Sequence, residues 1–272
     1  MTYVTKATVR RTVGIDSTAI SDDDVDDIIA ECEPQVERVF NTSFTPKQRI
    51  DIMNGNGTNR IFVDKNPLLQ VRALEIDGTT EDPANLHISK ESGKMELSTS
   101  ATTSTFIAKS KSVVVKYIYG WLEESTTSST TSAAEVAGTD VSVALASITG
   151  FADDDWVEIY GMDGYREVAQ INGTPGSSAV VLDQLIYTHE SGSTVVKLQV
   201  NPVFTKLMNI SCGLAMVARI VGESYKDIVG YNIGEFRVQK GEPYTQWRET
   251  ALQLQRERDR LIAMLKPRPC VV

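Results

Sequence analysis

Few side chains in this chain have the identity and spacing that chemistry requires. His87 and His189 are the only histidines. A nucleophilic triad or a zinc site needs an imidazole with a partner at a set spacing. His87 alternates within a strand pattern, and His189 sits in the turn-like sequence Thr188-His189-Glu190-Ser191-Gly192. Neither reads as a base or a ligand. The acidic runs Asp22–Asp24 with Asp26–Asp27, and Asp153–Asp155, suggest calcium at first sight. A calcium loop needs alternating oxygens, a central glycine and a distal glutamate. Neither run has that order. The first reads as the opening turn of a helix and the second as a solvated turn. Gly55-Asn56-Gly57 does not lead into a helix, so it reads as a hairpin turn and not a phosphate loop. Gly230-Tyr231-Asn232-Ile233-Gly234 has GxxxG spacing and reads as a loop. Cys32, Cys212 and Cys270 are far apart, with no CxxC pair, and read as free thiols in a reducing cell. The expectation is a protein that is not an enzyme: no catalytic residue, no cofactor and no metal site.

The residues that do form a pattern lie near the C-terminus. Trp247, Ala251, Leu254, Arg258, Leu261 and Leu265 recur at heptad-like spacing. Arg256, Glu257, Arg258, Asp259 and Arg260 make a mixed charge run beside that stripe. A helix face carrying its own ion pairs would explain the run, at about 0–1 kcal/mol per pair. The adjoining apolar stripe favours a partner-binding helix. After it come Lys266 and Arg268, two prolines, and the apolar Val271 and Val272. The expected partner-binding set is therefore Trp247, Leu254, Arg256, Arg258, Arg260, Leu261, Leu265, Lys266, Arg268, Val271 and Val272. Trp121 and Trp247 read equally well as interface anchors or as core residues.

Composition narrows the class. The formal net charge of -9 argues against a generic nucleic-acid binder, which must neutralise phosphates. The charge is uneven: residues 133–202 are strongly acidic, and residues 203–272 are mildly basic. No window of ~18 uninterrupted apolar residues predicts a membrane span. The stretch Met1 to Gly14 lacks the apolar region of a secretory signal.

The elements that must position these residues follow from periodicity. A short helix is expected over Lys6–Val13. Ser21 and Asp24 then make a capping pair, with Ile20 and Val25 as a hydrophobic staple. The helix that follows carries Val25, Ile28, Ile29, Cys32, Val36, Val39 and Phe40 on one face, with Pro34 expected to kink or divide it. From Arg49 the period changes to two. Arg49–Asn54 and Arg60–Val63 read as a hairpin around Gly55-Asn56-Gly57. Leu69–Ile76, Asn85–Ser89, Lys94–Leu97, Thr105–Ile107 and Ser112–Tyr119 follow as strands. Glu123–Glu124 and the run Ser125–Ser132 read as a break. Strands are then expected at Asp140–Ser147, Trp156–Tyr160, Arg166–Asn172, Ala179–Leu182 and Thr194–Leu198. Val203–Val221 is apolar nearly all round and should be buried in a core or an assembly. A last helix runs to Leu265 from Pro243, which suits a first helical turn.

The expected fold is thus α+β. A helical core with a small antiparallel sheet spans 1–132 and 201–272. It is interrupted by a small all-β barrel or sandwich inserted at 133–200, and 266–272 forms a C-terminal docking tail.

The order of these parts resembles a known family. Tyr3-Val4-Thr5 precedes a helix that opens at Ile20-Ser21-Asp22 and closes at Val36-Glu37-Arg38-Val39-Phe40-Asn41. Gly55-Asn56-Gly57 follows, then Asn66-Pro67-Leu68-Leu69-Gln70-Val71 leading to Ile76-Asp77-Gly78, and Val113-Val114-Val115-Lys116-Tyr117-Ile118-Tyr119-Gly120 before the later helices. The pattern over about 1–122 and 201–265 looks like the head–tail connector (adaptor) proteins of tailed viruses. The insert departs from the compact form of that family. The resemblance implies a structural virion protein at the head–tail junction, or neck, held in the host cytoplasm before assembly. It implies a ring, commonly of twelve copies, that joins the portal protein to the next neck or tail protein. DNA would pass through the channel during ejection without sequence-specific binding, and no membrane would be involved. The segment Pro243–Val272 would engage the portal. Two other readings stand beside it. One is a different tail-completion or baseplate structural protein. The other is a carbohydrate-binding module carried by the β insert, for which Trp156, Tyr160, Tyr165 and Tyr187 are the available aromatics.

Overall fold

A computed structural model describes residues 4–17, 19–162, 164–228 and 243–265, with side chains for all of these except 221–228 and 243–247. The chain divides into two compact units. One is formed by Asn41–Asn201 and the other by the segments on either side of it.

The helical unit contains α1 (Lys6–Val13), α2 (Asp22–Phe40), α3 (Pro202–Ile228) and α4 (Pro243–Leu265). Local chemistry explains where these begin and end. Thr5 and Thr8 cap α1 reciprocally: the Thr8 N–H donates to Thr5 Oγ1 at 3.2 Å, and the Thr5 N–H donates to Thr8 Oγ1 at 3.1 Å. The helix stops at Gly14, whose φ of 73° suits a residue without Cβ. At the start of α2, Ser21 Oγ accepts the Asp24 N–H at 3.1 Å, as the capping pattern predicts. Pro34 does not divide α2, which runs through it to Phe40.

The apolar α3 is the centre of this unit and packs against the other three helices. Phe204, Leu207, Met208, Ile210, Cys212, Met216 and Val217 are all buried. Each such side chain contributes about 1.5–3 kcal/mol by leaving water. By length and composition alone α3 could cross a membrane. The residues it buries here are those of a bundle's core helix. Phe40 meets Phe204 edge-on at 5.5 Å, which ties the end of α2 to the start of α3.

The other unit is built from strands, with one 3-10 turn among its described residues, at Pro83–Asn85. Its strands are β1 (Lys47–Met53), β2 (Arg60–Phe62), β3 (Leu68–Ile76), β4 (Thr79–Glu81), β5 (Leu86–Ser89), β6 (Lys94–Leu97) and β7 (Val113–Tyr119). These are followed by β8 (Leu122–Thr130), β9 (Gly138–Ala144), β10 (Trp156–Tyr160), β11 (Arg166–Gln170), β12 (Ala179–Leu185) and β13 (Thr194–Val200). They form four antiparallel sheets, ordered β1-β7-β3-β4, β2-β6-β5, β11-β10-β13-β8 and β12-β9. The first two sheets enclose a core of Val71, Leu74, Ile76, Met95, Phe106, Val115 and Tyr117. The last two enclose Val143, Val157, Ile159, Leu182, Leu185 and Val195. A third cluster, Leu69, Ile118, Val168 and Leu198, joins the two halves. Asp77 and Gly78 turn β3 into β4, both with positive φ, as a two-residue hairpin requires.

The expected fold class needs correction. A helical core with a small sheet does not describe this chain, because the described residues hold thirteen strands in four sheets against four α-helices. Two physical causes stand out. The run Ser125–Thr130 is not a break: it lies within β8 and pairs with β13, which leaves Leu122 opposite Val200. Thr is a β-branched residue at home on a half-buried pleat. The pairings are also long-range. β1 does not form a hairpin with β2 but pairs with β7, while β2 pairs with β6. Gly55 and Gly57 instead lie against residues 106–109, donating to Lys109 O at 3.0 Å and Phe106 O at 2.7 Å. A Cβ on Gly55 would come within 1.9 Å of Ile107 O. Residues 105–107 form no strand, although Phe106 is fully buried.

Candidate partner-binding surface

The strongest partner-binding candidate is the outer face of α4. The heptad-like stripe points inward. Leu254 and Leu261 are each only 8% exposed, and Leu265 is half-buried. Gly213 of α3 makes room for α1: a Cβ there would lie 2.7 Å from Val13 Cγ2, while Leu254 Cδ1 of α4 would be at an ordinary 3.7 Å. Arg258 is half-buried and lines a groove of about 460 Å³ with Cys32, Val36, Val39, Leu207 and Ile262. Its Nη2 donates to Asp259 Oδ1 at 3.1 Å. Glu257 pairs with Lys206 at 2.5 Å, linking α4 to α3.

Arg256 and Arg260 are exposed. They sit in an i, i+4 row with two exposed apolar residues, Leu252 at 43% and Met264 at 63%. Such rows form the ridges by which helices pack into grooves. The row Leu252–Arg256–Arg260–Met264 spans about 18 Å of helix at 1.5 Å per residue. It offers two cations flanked by apolar ends. The sequence stripe did not show it, because i+4 spacing drifts around the helix relative to a heptad. Of the expected set, the structure brings Arg256 and Arg260 together on this ridge and packs Leu254 and Leu261 behind it. Trp247 lies in α4, but its side chain is outside the described residues, as are Lys266, Arg268, Val271, Val272, Cys270 and the Gly230–Gly234 segment expected to be a loop.

The other candidates resolve into structure. Asp22 pairs with Arg10 at 2.6 Å, Asp26 with Lys6 at 2.9 Å, and Asp24 with Arg219. In the second run, Asp155 pairs with Lys197 at 2.6 Å, and Asp153 Oδ1 accepts the Gly173 N–H at 2.7 Å. Among the described residues, no three His, Cys, Asp or Glu side chains are grouped to hold a metal. Cys32 and Cys212 are buried free thiols in contact across α2 and α3. The hydrogen bond to Cys32, helped by burial, holds the Cys212 thiol far above its usual range.

Sequence reasoning missed two polar pairs, one fully buried and one with a buried arginine. His189 is fully buried, not in an open turn, and its Nε2 lies 2.7 Å from Glu167 Oε1. Glu167 also accepts the N–H groups of Ile186 at 2.7 Å and Tyr187 at 3.1 Å. Neither member reaches solvent, so the pair organises a loop. Arg72 of β3 is the second. Its guanidinium donates to Asp183 Oδ2 at 2.9 Å, to Gln184 O at 3.0 Å and to Val168 O at 3.3 Å. No signal in the sequence marks either pair, because the partners are 22 and 111 residues apart.

No protein-family model matches the chain, and no curated protein matches it.

Proposed function

We propose that this chain is a structural head–tail connector of a tailed virus, forming a ring at the portal and docking there through the outer ridge of α4. One observation carries the docking part: Leu252, Arg256, Arg260 and Met264 form an exposed row on a helix whose other face is committed to the bundle. A ridge of that make-up suits a partner groove with an apolar floor and acidic walls. The order of elements noted in the sequence supports the family. The edge strand β1 adds a second surface suited to subunit contact, because Ile50 and Ile52 are 58% and 62% exposed on it. The test is binding of the full chain to the portal protein of the same particle. The double variant R256A/R260A should weaken binding at least tenfold while the helical content stays unchanged. Binding equal to that of the wild type would remove the ridge from the mechanism.

A further inference from the structure

The sheet unit contains a cleft that the connector reading does not use. It measures about 980 Å³. One wall comes from β5 and residues 98–100, and the other from residues 164–166 with Tyr187. Tyr165 and Tyr187 are stacked on the second wall, with ring centroids 4.5 Å apart and planes within 14°. Tyr187 is nearly buried and fixes the orientation of Tyr165, which stays 48% exposed. Burial also pushes the Tyr187 phenol up to about 12, so it remains a neutral donor. The first wall supplies an amide, an imidazole and hydroxyls from Asn85, His87, Ser98 and Ser100.

The charges in this cleft are already matched. Lys90 pairs with Glu158. Arg166 pairs with Glu158 at 3.1 Å and with Glu124 at 2.7 Å, and its guanidinium lies over the Tyr160 ring at 4.6 Å. Two cations and two carboxylates thus satisfy one another, which leaves little net field to draw an anion. What the cleft offers a ligand is an oriented aromatic platform facing hydrogen-bonding side chains. That combination suits a sugar ring, whose C–H face is apolar and whose rim is all hydroxyl.

We infer that this cleft binds a neutral oligosaccharide, with Tyr165 as the stacking platform and Asn85, His87 and Ser100 facing the hydroxyls. The site lies within one compact unit, so it is independent of the α4 ridge and of the connector reading.

The test is saturation-transfer NMR on the full chain with maltotriose, chitotriose and mannotriose as separate probes. At least one should receive saturation with a Kd of about 1 mM or tighter. Y165A should cut the transfer at least tenfold, and Y165F should keep it, since the ring and not its hydroxyl does the stacking. S100W narrows the cleft from the other wall without touching the tyrosine stack, and should also abolish transfer. R256A/R260A should leave it unchanged. Three results would each overturn the inference: no transfer to any of the three sugars, transfer equal to wild type in both Y165A and S100W, or displacement of the sugar by inorganic phosphate.

Discussion

Truncating Arg72 should destabilise the sheet unit strongly. The side chain is 4% exposed and carries one full charge. Its guanidinium supplies Asp183, the Gln184 carbonyl and the Val168 carbonyl together. Removing one member of a fully buried ion pair costs about 3–5 kcal/mol. Asp183 is 37% exposed and keeps the Gln170 N–H at 2.8 Å, so water and that donor recover part of its solvation. This places R72A near the lower limit, at about 3 kcal/mol. In a unit of this size that corresponds to a fall in Tm of about 6–12 °C. R72M retains the apolar stem, so the difference between R72M and R72A separates packing from charge. D183N should cost less, about 1–2 kcal/mol, because the amide keeps an acceptor for Gln170. A double-mutant cycle on R72A and D183N should show a coupling of about 1–2 kcal/mol. The assay is urea unfolding followed by far-UV circular dichroism. R72A within about 0.5 kcal/mol of wild type, together with additive single effects, would show that the pair does not hold β3 to the later strands.

Two further predictions rest on single residues. G213A should destabilise the helical unit by about 1–3 kcal/mol through overpacking against Val13, despite the better helix propensity of alanine; a gain in Tm would show that the helices yield at that point. Glu81 is almost completely buried. Burial opposes its charge, but donors from Thr102, Thr103 and Asn85 prevail and hold its carboxyl below the usual range. A depressed folded value gives stability that is complete above the unfolded value of about 4.3 and is lost as pH falls through the folded one. The stability gap between wild type and E81Q should therefore be constant from neutral pH to about 5 and close below it. A gap that persists unchanged to pH 2 would contradict the assignment.

The parts legible in the sequence are those decided locally. The bounds of α1 and α4 follow from a capping threonine, a terminating glycine and an N-terminal proline, all within a few residues of the helix they limit. β10 likewise coincides with the strand expected at Trp156–Tyr160. What escaped was decided at a distance. β1 finds its partner in β7, with Lys47 opposite Tyr119 and Met53 opposite Val113, so its proximity to β2 in the chain is no guide. β8 carries too little apolar character to announce itself, and its strand state depends on β13. The candidate ridge was half legible. The charge run drew attention to Arg256 and Arg260, but the 3-4 stripe that seemed to complete the site is the side that packs on α3. Leu252 and Met264 are exposed apolar residues, and only burial on the other face gives them meaning.

The most direct test of the central proposal is cryo-electron microscopy of the intact particle, focused on the vertex where head meets tail. The account predicts a ring of this chain beneath the portal, with Arg256 and Arg260 of α4 against acidic portal residues. Finding the chain elsewhere on the particle, or a portal-bound ring in which α4 faces away from the portal, would contradict it.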